Sequence, residues 1–161
     1  MEKVFRMFFA PIFLTSILFG ASGNAFAQKN VAFEVVEFDV YQLAQKPDTA
    51  LQIKLKSNKD CQKFCKKFAM REGTCQNMNF DFVGYDYILV YGGMKPNGGY
   101  AVAIDKIVQG EKNIAVNYFN TKSGPSCNVT EMISYPSQMV RIAKIKQKIK
   151  FKKMPERLTK C

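Results

Sequence analysis

The chain predicts an α+β protein: a mostly antiparallel β-sheet, sandwich-like in outline, with one helix in its N-terminal half. Three observations carry that expectation. From Phe80 onward, runs of alternating or β-branched apolar residues are separated by Gly, Pro and Asn turns. One stretch alone has helical spacing, with Cys61, Phe64, Cys65 and Phe68 at i, i+3, i+4 and i+7. No repeat or low-complexity linker divides the 161 residues.

The elements follow in order. Met1 to Ala27 reads as a secretory signal peptide. Lys3 and Arg6 supply the positive start, Met7 to Phe19 an uncharged apolar run, and Ala25-Phe26-Ala27 a small-x-small cleavage site before Gln28. The apolar run is short of the roughly 20 residues that a membrane span needs. No later segment is long and apolar enough to cross a bilayer, so no transmembrane segment is expected. One domain over residues 28–154 and a basic, frayed tail over 155–161 are expected.

Val31 to Tyr41 is a strand candidate, and Pro47 marks a loop after it. Leu51, Ile53 and Leu55 alternate with Gln52, Lys54 and Lys56, the pattern of a half-buried strand. Ser57 followed by Asp60 resembles a capping box, which starts a helix over about residues 58–70. Phe64 and Phe68 on its apolar face are core, and Gly73 suits a left-handed cap. Strands then follow at Tyr85–Tyr91, at Tyr100–Val108 and around Ile114–Tyr118. A short strand is read at Val129–Ser134 and others at Met139–Ala143 and Lys148–Lys152.

The charge is uneven. The whole chain carries +11; loss of residues 1–27 removes two basic groups and one acid, leaving +10. Met139 to Cys161 holds nine Lys or Arg against the single acid Glu156. Arg141, Lys144, Lys146, Lys148, Lys150, Lys152 and Lys153 are therefore candidates for contact with an anionic envelope surface. The competing reading is that these lysines guard an exposed edge strand. No nucleic-acid motif accompanies the charge.

The chain has no histidine, which removes histidine-based triads and the commonest metal ligand. No catalytic residue, metal site or cofactor is expected. Asp81, Asp86 and Asp105 read as turn and cap residues. An exported chain with five cysteines is expected to form disulfides. Cys61, Cys65, Cys75 and Cys127 are the candidates, in any of three pairings, and Cys161 is the odd one.

The densest turn is Gly92 to Gly99, with four glycines, Pro96 and Asn97 in eight positions. Lys95, Pro96, Asn97, Gly98, Gly99 and Tyr100 are the candidate partner-binding loop. A turn this dense in glycine must reach φ > 0, with Asn97 and Gly98 able to adopt it, and Tyr100 offers a flat contact group of a kind enriched at hot spots. The competing reading is a plain hairpin turn with Tyr100 packed in the sheet.

Four pieces in order carry a family resemblance: Phe80-Asp81-Phe82 before an apolar strand; Gly93-Met94-Lys95-Pro96-Asn97-Gly98-Gly99-Tyr100; Gly124-Pro125-Ser126-Cys127; and Tyr135-Pro136 before Met139-Val140-Arg141-Ile142. Together they make residues 80–152 resemble the C-terminal domain of the PrcB family. The family's usual turn reads P-T-G-G-Y, and Asn97 stands here in place of threonine. The family is named for an accessory subunit of a secreted protease complex. The resemblance implies a non-catalytic, exported or periplasmic protein that binds or stabilises a protein partner such as a protease. A second reading, from the turn's likeness to the N-P-T-T-G loop of chagasin-like proteins, is a protease inhibitor presenting Lys95–Tyr100. A third is a basic protein bound to an anionic envelope surface.

Overall fold

The computed structural model describes residues 28–38, 43, 45–68, 70 and 78–161. The strands are β1 (Lys29–Val31), β2 (Phe33–Val36), β3 (Leu51–Leu55), β4 (Tyr85–Tyr91), β5 (Tyr100–Gln109), β6 (Asn113–Ser123), β7 (Ser137–Ala143), β8 (Lys148–Lys153) and β9 (Arg157–Thr159), with helix α1 (Asn58–Lys67) between β3 and β4. The architecture is α+β, mostly antiparallel, with two stacked sheets and the helix on one outer face.

One sheet runs β1-β5-β6-β8, with β9 also on β6; the other runs β2-β7-β4-β3. Only β8 and β9 lie parallel to their neighbour, both along β6. The chain leaves the first sheet after Val31 and enters the second at Phe33, so Ala32 is a corner joining the two.

Alternation along the central strands explains the layers. Ile88 and Val90 of β4, Val140 and Ile142 of β7, and Ile114, Val116 and Tyr118 of β6 point between the sheets and form the main core. Tyr87, Leu89 and Tyr91 point from β4 to the opposite side, where they meet Phe64 of α1 and Phe68, the residue that caps its C-terminal end. Strand β4 is thus buried on both faces, which its continuous Tyr-Ile-Leu-Val-Tyr run requires.

Local chemistry sets the helix. Ser57 Oγ accepts the Asp60 N–H at 3.2 Å, and Asp60 Oδ2 accepts the Lys56 N–H at 3.0 Å. The helix stops at Lys67, three residues short of the expected end. Its last turn widens, with the Met70 N–H reaching Cys65 O five residues back at 3.0 Å. Gly73 lies outside the described residues.

Strand β5 contains a bulge between Ile104 and Lys106. Val102 and Ile104 face the core, and after the extra residue the inward position passes to Ile107. Asp105 and Lys106 are therefore both exposed. Gln138 of β7 reaches across from the other sheet and accepts the Ile104 N–H at 2.7 Å.

The structure departs from the sequence reading at three further places. Val31–Tyr41 is not one strand; its described part is split between two sheets, and 39–42 lie outside the described residues. Val129–Ser134 is not a strand. Its backbone is engaged with residues 95–98 instead of a sheet edge, and only the Lys95–Ser134 bridge has β geometry. The C-terminal tail is not frayed. Strand β9 pairs with Thr121–Ser123, Arg157 bonds Asp105 at 2.9 Å, and its guanidinium lies 3.5 Å from the Phe119 ring centroid.

Tyr91 is buried at the sheet–helix interface and donates to Pro47 O at 2.8 Å. Burial first, then the neighbouring Tyr135 and Asp48, push its phenol up to about 12. A raised folded pKa means that the folded state holds its proton longer than the unfolded chain does. Stability should therefore fall as pH rises from about 10 to about 12. In Tyr91→Phe this alkaline limb should become shallower, as read by urea midpoints at stepped pH.

Candidate functional site: a double loop at one end of the sandwich

The glycine-rich turn does not project alone. Residues 92–99 are zipped to 130–136 by main-chain bonds. Gly92 N–H reaches Pro136 O (2.8 Å), Lys95 N–H reaches Ser134 O (2.9 Å), Ser134 N–H returns to Lys95 O (3.0 Å), and Gly98 N–H reaches Thr130 O (2.9 Å). Ser134 Oγ adds a bond to Asn97 O at 2.5 Å. Asn97 shapes the turn with its own side chain, whose Oδ1 accepts the Gly99 N–H at 3.0 Å. These main-chain bonds tie the two segments into one platform.

All six predicted loop residues come together here. Pro96 and Gly98 are exposed, while Lys95, Asn97, Gly99 and Tyr100 are half-buried. Tyr100 starts β5 opposite Lys122, and its ring lies 5.7 Å from Lys95 Nζ and 5.9 Å from Lys122 Nζ. It is partly packed and partly presented.

The positive φ expected of this glycine-dense turn falls at Gly93 and not at Gly98. The one described glycine with φ in the left-handed region is Gly93, at 78°. Gly98 is constrained by space, because a Cβ there would run into Thr130 Oγ1. Gly98→Ala should therefore cost stability, and shortening the neighbour in Gly98→Ala/Thr130→Ala should recover most of that loss. Thermal midpoints of the three variants measure it; equal loss in the single and double variants would point to backbone strain instead.

The sequence reading missed the second half of the platform. Met132 is 74% exposed and Ile133 53% exposed. Met94 and Val129 are also exposed, so four of the large apolar side chains on the surface belong to these two bonded segments. Lys95 and Glu131 lie on the same two segments, and Lys122 pairs with Tyr100 at the start of β5. Exposed large apolar side chains gathered on two bonded segments are the kind of feature that marks a contact site. A usable signal was present: Gly124-Pro125 and Pro136 bracket the run, which suits a loop better than a ladder strand.

A disulfide braces the base of the platform. Cys127 bonds Cys161, with Cα atoms 5.5 Å apart. Gly124 N–H also reaches Thr159 O at 3.1 Å. This corrects the reading of Cys161 as the odd cysteine. The returning β9 brings it to Cys127, a placement that the sequence spacing does not reveal. A bridge closing 34 residues contributes about 2–4 kcal/mol. Cys65 is disulfide-bonded too, while Cys75 lies outside the described residues. Cys61 is instead a buried thiol against the helix core, and burial pushes its pKa up. A thiol held protonated is a poor nucleophile.

The seven C-terminal cations do not gather on one face. Arg141 bonds Glu34 Oε2 and stacks 4.6 Å over Tyr85. Lys144 turns to Asp86 and to two carbonyls. Lys148, Lys150 and Lys152 alternate with the inward Ile149 and Phe151 of the edge strand β8, on its outer face. Lys146 and Lys153 are exposed.

Of the three dismissed acids, Asp81 is a turn residue, its Oδ1 accepting the Val83 and Gly84 N–H groups at 2.9 and 3.1 Å. Asp105 sits on the bulge and holds Arg157. Asp86 is neither turn nor cap: it is a fully buried strand residue. No group of three or more His, Cys, Asp or Glu placed to hold a metal occurs among the described residues. No described helix is long and apolar enough to cross a membrane. Predicted cleavage residues Ala27 and Gln28 fall at the boundary of the description: Ala27 lies outside it, and Gln28 is its first residue.

No curated protein and no solved structure matches the chain. Residues 87–143 match the family model described as PrcB C-terminal. The match runs from within β4 to the end of β7, takes in the whole double loop, and leaves out α1 and the tail. The segment from Tyr87 to Ala143 is thus similar to the C-terminal domain of the PrcB family.

Proposed function

We propose that this protein is an exported accessory domain without catalytic chemistry of its own. It binds, and thereby stabilises, a protein partner of the envelope or secreted fraction, a protease being the partner class that the family suggests. The contact surface is the double loop of residues 94–100 and 128–134. The observation that carries the reading is the clustering of exposed Met94, Val129, Met132 and Ile133 on two segments locked together by main-chain bonds. The family match over the same residues supports it. The buried Cys61 thiol and the absence of histidine support a non-enzymatic role. The Cys127–Cys161 bridge is compatible with an oxidising compartment, as the predicted leader requires. A broad, zipped platform supports the accessory reading over an inhibitor, which would present Lys95–Tyr100 as a projecting wedge.

The test is crosslinked co-purification from the exported fraction, followed by a peptidase assay on the recovered pair. Lys95→Glu and Met132→Asp/Ile133→Asp should change stability by no more than about 0.5 kcal/mol. Each should weaken partner binding, the apolar pair by about tenfold or more. Faster or longer-lived peptidase activity in the pair supports the accessory role. Stoichiometric loss of activity means an inhibitor.

A further inference from the structure

The outer face of the β1-β5-β6-β8 sheet carries a recess of about 320 Å³, at the end of the β5–β6 hairpin away from the double loop. We propose that this recess binds a tetrahedral oxyanion, phosphate or sulfate, held by the Asn117 amide between the ammonium groups of Lys106 and Lys152.

Strand register builds the site. Lys106 pairs with Asn117 across β5–β6, and Asn117 pairs with Lys152 across β6–β8. The three side chains thus form one cross-strand row, with adjacent strands about 4.8 Å apart. The bulge makes this possible. Val102 and Ile104 point into the core, so without the extra residue at Asp105 the alternation would send Lys106 inward. The bulge turns it out beside Asn117. Small Ala115 lies on the same face and leaves room beside the row.

Asn117 is the unusual member. It is only 6% exposed, and it lines the recess. Among the described residues its amide has no protein hydrogen-bond partner. Asp86 Oδ1 is the one described side-chain N or O atom that is both sealed from solvent and unpartnered, so the Asn117 amide opens into the recess, where it is free to meet a ligand. Lys106 and Lys152 form no ion pair among the described residues, and no carboxylate lines the recess. Three donor groups in a row match the three free oxygens of a phosphate or sulfate ester. The chain's +11 charge favours anion capture from a distance.

The experiment is a nitrogen–proton NMR titration of the full protein with inorganic phosphate, inorganic sulfate and glycerol 3-phosphate, each against sodium chloride at equal ionic strength. Saturable shifts of the Asn117 side-chain NH2 and the Ala115 and Asn117 backbone amides are expected. Lys106→Gln/Lys152→Gln should weaken binding at least about tenfold, from two lost charge-assisted bonds. Lys63→Gln/Lys66→Gln, on the helix, should change nothing. A preference for glycerol 3-phosphate assigns the phosphate end of a larger molecule, and equal binding of inorganic phosphate assigns the free ion. A preference for sulfate assigns a sulfate group. Linear shifts reproduced by chloride, or binding unchanged in the Lys106/Lys152 variant, would overturn the proposal. Met132→Asp/Ile133→Asp should leave the recess intact, so this site and the double loop stand or fall separately.

Discussion

Exchanging Lys56 and Lys144 together for methionine should lower the unfolding free energy by about 3–5 kcal/mol, because it strands a buried carboxylate. Asp86 is fully buried. Lys56 Nζ stands 3.5 Å from its Oδ2 and Lys144 Nζ 3.2 Å from its Oδ1. The lysine donors are aimed elsewhere. Lys144 donates to Lys56 O at 2.7 Å and Phe82 O at 2.8 Å, and Lys56 to Ile145 O at 3.1 Å. Asp86 Oδ1 therefore has a close counter-charge without an aligned hydrogen bond. Asp86 Oδ2 accepts one long bond, 3.4 Å, from the Ile145 N–H, so the carboxylate is held more by charge than by bond geometry, and it ties the β3–α1 junction to the loop after β7. The two lysine side chains are about a third or more exposed, so their ammonium groups can return to water when the acid is removed. Asp86→Asn should consequently cost less, about 1–2 kcal/mol. Adding Asp86→Leu to the double lysine variant should recover much of its loss, since an apolar replacement of a whole buried cluster is often neutral. Urea midpoints followed by tyrosine fluorescence or circular dichroism supply the full cycle. Equal losses in Asp86→Asn and the lysine pair would mean that Asp86 needs no counter-charge.

Gly93→Ala should cost about 2 kcal/mol or more, the largest effect of any methyl group added in the loop. Gly93 has φ 78°, which costs an alanine about 1–2 kcal/mol by itself. Its added Cβ would also stand 2.6 Å from Asp48 O and 3.0 Å from Ala50 N, both main-chain atoms that cannot rotate away. Met94 N–H is bonded to that same Asp48 O at 3.1 Å, so the strain falls on the entry to the double loop. Asparagine tolerates the left-handed region, but its Cβ meets the same backbone. Gly93→Asn should therefore recover only part of the loss. Thermal unfolding of the two variants decides it; full rescue by asparagine would assign the glycine to φ alone.

Much of the fold was legible because alternation and helical spacing are local signals. Leu51, Ile53 and Leu55 revealed β3, and Ser57 with Asp60 revealed the start of α1. What escaped was set by pairing at a distance. Nothing near Cys161 shows that β9 turns back along β6, so the bridge to Cys127 was hidden. Asp86 looked like a strand-flanking acid because its lysines lie 30 and 58 residues away in sequence. The bulge at Asp105 was invisible in a run that alternates on either side of it. The candidate loop was legible at Lys95–Tyr100 from its turn chemistry. Its partner segment was not, because Val129, Met132 and Ile133 carry apolar side chains that a strand would bury and this loop exposes.

The most direct test of the central claim is crosslinked recovery of the full-length protein and its Met132→Asp/Ile133→Asp variant from the exported fraction, side by side. Both should show the same thermal midpoint. The account predicts a protein partner recovered in stoichiometric amount with the parent chain and lost with the variant. Recovery of that partner equally by both would contradict it, and would place the contact away from the double loop.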